Sequence, residues 1–130
     1  VRPDTDAADV WRDGSDACCA ARKVAPLEQT LLGRADAWLS GLRRADHAGR
    51  AATPIVELDR RGLVKVNPIA TWTDEQVEAH VREHEVLVNP LGYQGYASIG
   101  CWPCTEPVAE GDDARSGRWG GRKAECGLHL

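Results

Sequence analysis

Five cysteines punctuate the chain: an adjacent pair, Cys18-Cys19, a C-x-x-C pair, Cys101 and Cys104, and a lone Cys126 near the end. An odd number, with no basic-then-apolar leader in front, argues against a disulfide framework. Four grouped thiols plus one singleton suggest four metal ligands and one reactive thiol. Thiolates are soft donors that favour zinc, copper(I) and iron–sulfur clusters. Redox dithiols share the C-x-x-C spacing, but they need a βαβ context that residues 88–110 lack. Neighbouring residues on a helix point about 100° apart, at about 3.6 residues per turn. One zinc ion is awkward to reach from both Cys18 and Cys19, whereas a cubane cluster offers two iron corners. An iron–sulfur cluster is therefore expected, with zinc or a pair of small buried core cysteines as the alternatives.

Cys126 sits in Glu125-Cys126-Gly127-Leu128-His129-Leu130, after a stretch (109–125) rich in Gly, Asp, Arg and Lys. That composition predicts an exposed thiol on a mobile arm; the plainer reading is an incidental surface cysteine. Cations near a thiol favour its thiolate form, and Arg122, Lys123 and His129 are close in sequence. Arg115 and Arg118 carry guanidinium forks of the kind that match sulfate and phosphate oxygens. Lys23, four residues after Cys19, shares its helical face. There it can offset the negative charge of a thiolate-bound cluster and touch an anionic ligand, or simply be an exposed lysine.

Positioning these side chains falls to short elements. The sequence predicts a helix that starts at the Cys18-Cys19 pair, runs to about Val24 and is capped by Asp16, and a second over 27–32 with Pro26 in its first turn and Gly33 closing it. Residues 37–42 read as a buried strand with Arg43-Arg44 past its end. Residues 45–53 read as a polar loop. Residues 55–58 and 63–66 read as a hairpin turning at Arg60-Arg61-Gly62. Thr73, with Gln76 three residues on, forms a capping box that opens a helix to about residue 85. Residues 88–104 read as a structured loop.

The bulk numbers narrow the field. With 130 residues and 42% hydrophobic content, one domain or part of one is expected. No run of 18 apolar residues occurs, so no membrane span is expected, and a soluble cytoplasmic protein is the default. The net charge of −4 argues against a nucleic-acid partner. Basic pairs at Arg22-Lys23, Arg43-Arg44, Arg60-Arg61 and Arg122-Lys123, in an otherwise acidic chain, suit a small anionic ligand. The chain opens on Val1 and holds no Met, which reads as an alternative start or as a piece of a longer protein.

Five blocks, in order, resemble a known family. The segment Cys18-Cys19-Ala20-Ala21-Arg22-Lys23-Val24-Ala25-Pro26-Leu27 is similar to the cluster-binding segment of assimilatory adenylyl-sulfate (APS) reductases. Gly41-Leu42-Arg43-Arg44 resembles the nucleotide-side segment of the wider sulfonucleotide reductase family, and residues 95–105 its second cysteine block. Arg115-Ser116-Gly117-Arg118-Trp119 and Glu125-Cys126-Gly127-Leu128-His129 resemble its C-terminal segments.

The resemblance implies an α/β fold, the C-terminal part of an adenine-nucleotide alpha-hydrolase-like fold. Residues 1–108 would carry the cluster ligands and 109–130 would be a mobile catalytic tail. It implies a 4Fe-4S cluster on Cys18, Cys19, Cys101 and Cys104, and catalysis by Cys126 with His129. Lys23, Arg43, Arg50, Arg115 and Arg118 would bind substrate. The implied reaction is thioredoxin-dependent (or glutaredoxin-dependent) reduction of APS to sulfite and AMP in sulfate assimilation and cysteine biosynthesis, through S-sulfocysteine. It leaves room for a homo-oligomer and gives no role to nucleic acid or membrane. Relatives that use 3′-phosphoadenylyl sulfate usually lack the four cysteines, so that substrate is the alternative, as is a non-catalytic metal-binding fragment. Three features depart from the family pattern. No S-G-G-x-D-S-like nucleotide loop is present, so the 130 residues alone are expected to be inactive. Asp46-His47 stand where Gln-Ser is usual. Glu106 adds charge beside the second pair, which predicts a compensating cation elsewhere.

Overall fold

The structure, a computed structural model, describes residues 14–123 and 125–129. The residues at 1–13 lie outside the described residues.

The first two predicted helices are one continuous helical run. Helix α1 (Ser15–Cys19) passes into a π turn (Ala20–Val24) and then into α2 (Ala25–Leu31). Proline within a helix offers no N–H to the carbonyl four residues back and crowds it. The widened turn lies just ahead of Pro26, where that mismatch falls, and such π turns recur at functional sites. Asp16 does not cap α1; Gly14 holds the N-cap position, with no side-chain hydrogen bond. Gly33 closes the run at φ 71°, a left-handed conformation that glycine adopts without cost.

Three short strands follow: β1 (Ala37–Leu39), β2 (Val56–Leu58) and β3 (Val64–Val66). The predicted hairpin forms. β2 runs antiparallel to β3, with Val56 opposite Val66 and Leu58 opposite Val64. Asp59 shapes its turn: Oδ1 accepts from the backbone N–H of Arg61 and of Leu63, leaving Gly62 at φ 77°. β1 pairs parallel with the other side of β3, Ala37 opposite Val64, so the order is β1-β3-β2. The architecture is thus α/β with a mixed sheet.

The expectation of a buried strand over 37–42 needs correcting. The strand stops at Leu39, which is 74% exposed, and Leu58 is 72% exposed. Only Ser40 and Leu42 beyond its end are buried. Three strands cannot cover both of their own faces, so the apolar side chains of the sheet stay in solvent. The core is correspondingly small: among the described residues the buried apolar side chains are Cys19, Leu31, Leu42, Ala70 and Trp119.

Helix α3 (Asp74–Glu83) begins at the predicted capping box. Thr73 Oγ1 accepts from Gln76 N at 3.3 Å, and Gln76 Oε1 accepts from Thr73 N at 2.9 Å. Residues 88–104 form single 3₁₀ turns, Pro90–Gln94 and Trp102–Cys104, joined by loop. Among the described residues no helix is long and apolar enough to cross a membrane.

Candidate active site

The second cysteine pair is held by its own backbone. Cys104 N donates to Cys101 O at 2.9 Å, and Thr105 Oγ1 donates to the same oxygen at 2.9 Å. The first pair ends α1, with Cys19 buried and Cys18 half-buried. The two pairs converge. Burial pushes the Cys104 thiol up, and the nearby Cys101, Cys19 and Cys18 push it further, while Lys23 pulls it down. Among the described residues no three His, Cys, Asp or Glu side chains close tightly enough to share a single metal ion. Thiolates are soft donors, so these four thiols are the residues that could hold a metal or an iron–sulfur core here.

A single bridge joins this site to the C-terminal segment. Thr105 pairs antiparallel with Arg118, and Glu106 N donates to Gly117 O at 2.8 Å. The backbones approach so closely that a side chain at Gly117 would run into the Glu106 carbonyl. Arg118 then folds back, its Nε donating to Cys104 O at 3.3 Å, with its guanidinium over the Trp119 ring at 4.5 Å. That indole is 3% exposed. Three further cations lie about it: Lys123 Nζ at 5.1 Å, Lys23 Nζ at 5.8 Å and Arg115 Cζ at 5.8 Å. The stretch 109–125 was expected to be mobile on composition, yet it buries Gly117, Arg118 and Trp119. Cation–π contact and a backbone bridge hold what its hydropathy would leave loose.

Lys123 Nζ also lies 3.7 Å from Cys19 Sγ and pairs with Asp16. Burial works against its charge, but Asp16 and Cys19 outweigh burial and raise its pKa. Lys123 is thus the cation beside the cysteines that Glu106 led us to expect. Trp119 Nε1 is buried and, among the described residues, has no hydrogen-bond partner. A groove of about 670 Å³ opens here, lined by Ala17, Cys104, Glu106, Trp119, Arg122 and Lys123.

Cys126, expected to be exposed, is half-buried, because Glu125 beside it is anchored. Arg50 donates to both oxygens of Glu125, Nε to Oε1 at 2.6 Å and Nη2 to Oε2 at 2.9 Å. Arg115 Nη2 stands 3.6 Å from Oε2. Burial would push the Glu125 carboxyl up; Arg50 and Arg115 prevail and hold it below its ordinary value. Asp46, the departure from the family pattern, takes Arg50 Nη1 at 3.1 Å and Arg43 Nη2 at 2.7 Å. Arg43 also pairs with Asp74 at 2.8 Å. Arg43 thus bridges two carboxylates through Nη2 and ties the 43–46 turn to the start of α3, while its Nη1 is buried with no hydrogen-bond partner among the described residues.

The last described residue, His129, stacks on Trp38 of β1, and its carbonyl faces Lys65 Nζ at 3.4 Å. Burial, then the charges of Lys65 and Arg50, lower its pKa to about 4. At neutral pH the ring is therefore uncharged, and its Nδ1 is buried with no hydrogen-bond partner among the described residues. Lys23, Trp38, Leu39, Leu128 and His129 line a second groove of about 460 Å³.

Residues 1–107 match the family model described as the phosphoadenosine phosphosulfate reductase domain. The chain belongs to this family. The match takes in all four grouped cysteines and stops short of Arg115, Arg118, Cys126 and His129, of which Arg118 bonds the Cys104 carbonyl. Relatives in the family include the adenosine 5′-phosphosulfate reductase of Streptomyces coelicolor, 59% identical over 88% of this chain and 49% of its own length. That of Mycobacterium tuberculosis is 53% identical over 93% of this chain and 48% of its own. A solved family structure, phosphoadenylyl-sulfate (PAPS) reductase from Candida auris in a phosphate complex, superposes with a TM-score of 0.64 at 30% identity, over 78% of this chain and 47% of that one. The chain spans about half the length of the curated relatives it matches.

Within this family frame, sequence reasoning missed Trp119 as the hub of the cations, Lys123 as the partner of Cys19, and Glu125 as the anchor of the arm. Trp119 and Glu125 lay inside quoted blocks, but nothing in their spacing said what they touch. Trp38, another half-buried aromatic, read only as core.

Proposed function

We propose that this chain is the cluster-binding and catalytic half of an enzyme that reduces adenosine 5′-phosphosulfate to sulfite and AMP. The observation that carries the reading is the gathering of Lys23, Arg115 and Arg118 on one indole, between the four grouped cysteines and the arm that bears Cys126. Relatives that are 51–59% identical carry the APS reductase name. The Candida auris relative's title names a phosphate complex, which lends support to an oxyanion site. Since that title also names PAPS reductase, the 3′-phosphorylated substrate is the second reading.

Lys23, Arg115 and Arg118 hold the phosphosulfate end and neutralise its oxygens. The Cys126 thiolate attacks the sulfur: an S–S bond forms, the bond from sulfur to the phosphate oxygen breaks, and AMP leaves with the electron pair. His129, neutral, offers a hydrogen bond to an oxygen without adding charge. A thiolate of a dithiol reductant of the thioredoxin class then attacks the Cys126 sulfur. Sulfite leaves, and the second thiol of the reductant resolves the mixed disulfide. Sulfur(VI) becomes sulfur(IV) while the dithiol becomes a disulfide, so the electrons balance. Residues 109–130 form the arm that must move between the two encounters.

Cys18, Cys19, Cys101 and Cys104 would hold a 4Fe-4S cluster, with Lys23 and Lys123 offsetting its charge and Trp119 Nε1 as a donor facing the site. When bound, it supplies a rigid anionic staple between residues 18–19 and 101–104. The exposed apolar faces of β1 and β2 suit the C-terminal part of a larger adenine-nucleotide alpha-hydrolase-like sheet. Five free thiols suit a reducing, cytoplasmic setting.

The test mixes the full-length protein, nucleotide loop included, with APS without any thiol reductant and weighs the Cys126 peptide. An added SO₃ is expected. An unmodified Cys126 at full APS occupancy removes the reading.

A further inference from the structure

Glu125 stands one residue before the nucleophile, and its carboxylate fills the fork of Arg50 in two hydrogen bonds of 2.6 and 2.9 Å, with Arg115 at 3.6 Å. A guanidinium presents two parallel N–H groups, and a carboxylate, a sulfonate or a phosphate answers them with the same pair of oxygens. The side chains of Arg50, Arg115 and Glu125 are largely removed from solvent, at 13%, 11% and 25% exposure. The contact is thus a built pairing, with Asp46 occupying the remaining Nη1 of Arg50 at 3.1 Å.

We propose that Glu125 is a positioning residue that parks the Cys126 arm by filling, with its own carboxylate, the oxyanion place of Arg50 and Arg115, and that it yields this place to the sulfonate or phosphate oxygens of the substrate. The proposal rests on the reading of Arg50 and Arg115 as oxyanion-binding groups. Its geometry follows from the backbone. Cys126 follows Glu125 directly, with Cα atoms about 3.8 Å apart, so the segment that an incoming anion displaces is the one that carries the thiol. The exchange brings the incoming sulfur to the thiol and releases the arm in the same event. Until then Glu125 keeps Cys126 half-buried. A group on a short tether competes with an effective concentration of about millimolar order, so free oxyanions displace it at millimolar levels.

The probe is inorganic sulfate, and the readout is alkylation of Cys126 by a neutral reagent, measured on the C-terminal peptide of the full chain. In the unmodified protein the alkylation rate is expected to rise several-fold as sulfate increases through the millimolar range, and much less with chloride at equal ionic strength. Glu125→Gln is expected to react at the sulfate-saturated rate without sulfate and to ignore added sulfate, while Glu125→Asp keeps the response. Equal rates in Glu125→Gln and the unmodified protein, no response of the unmodified protein to sulfate, or an equal response to chloride would each overturn the proposal. If Glu125→Gln fails to fold, the sulfate titration of the unmodified protein decides alone. The APS adduct separates the two ideas. A protein that gains SO₃ from APS but ignores sulfate loses only the parked arm. One that responds to sulfate but gains no SO₃ keeps the parked arm and loses the reductase reading.

Discussion

The His129 ring lies on the Trp38 indole, centroids 5.9 Å apart and planes 11° from parallel. One residue comes from the arm and the other from the edge strand β1, so this stack docks the end of the chain on the sheet. Trp38 is itself fixed, because its Nε1 donates to Asp59 Oδ2 at 2.9 Å. Burial would raise the Asp59 pKa, but hydrogen bonds from Arg61, Leu63 and Trp38 outweigh burial and hold it at about 2.

The stack makes docking depend on pH. Burial and then the charges of Lys65 and Arg50 set His129 at about 4 against an ordinary 6.5. The undocked ring takes a proton as pH falls through 6.5, and the docked ring does not until about 4. Docking is therefore at full strength above 6.5 and is lost progressively as pH falls toward 4. An NMR titration of the His129 ring is expected to give a midpoint near 4 in the folded chain and an ordinary one in a peptide of the arm. The same ordinary midpoint in both would sink the claim.

Replacing the grouped cysteines one at a time tests the inorganic core. Cys18→Ser, Cys19→Ser, Cys101→Ser and Cys104→Ser are each expected to strip iron and acid-labile sulfide, whereas Cys126→Ser keeps both. Iron analysis and the visible spectrum read this directly. A colourless protein that carries zinc at the same four positions points to a structural staple instead.

Arg50 links the arm to the oxyanion site. Arg50→Ala is expected to slow S-sulfocysteine formation by about 10²–10³-fold, the usual effect of removing one preorganised donor. Arg50→Lys restores charge but not the fork, so only partial rescue is expected. Rapid-quench mass analysis with APS measures both. An unchanged rate in Arg50→Ala leaves this guanidinium outside the reaction.

Away from the site, Thr73→Ala removes the side-chain acceptor of the capping box that starts α3. It is expected to cost about 1 kcal/mol, a fall in Tm of about 4 °C, with iron content unchanged. A loss of iron instead would mean that α3 supports the cluster site, which no contact of Thr73 suggests.

Much of this protein was legible in its residues. The turn at Arg60-Arg61-Gly62, the Thr73–Gln76 cap and the stop at Gly33 depend on local backbone preference, which is written in a few neighbouring residues. The spacing of the cysteines suggested four ligands and one reactive thiol, because ligand chemistry restricts which residues serve. What stayed hidden was every relationship between residues far apart in the chain. Arg50 and Glu125 are 75 positions apart, and Lys123 and Cys19 are 104 apart. No local rule pairs them. Exposure was misread for the same reason: Leu39 reads as core until the strand count shows nothing to cover it, and Trp119 reads as part of a loose tail until four cations close around its ring. Sequence alone determined which groups could do chemistry and where the chain turns, because those follow from residue type and near neighbours. Tertiary structure decided which charges meet, which histidine stays neutral and which carboxylate fills the fork of Arg50, because electrostatics and burial act through space and not along the chain.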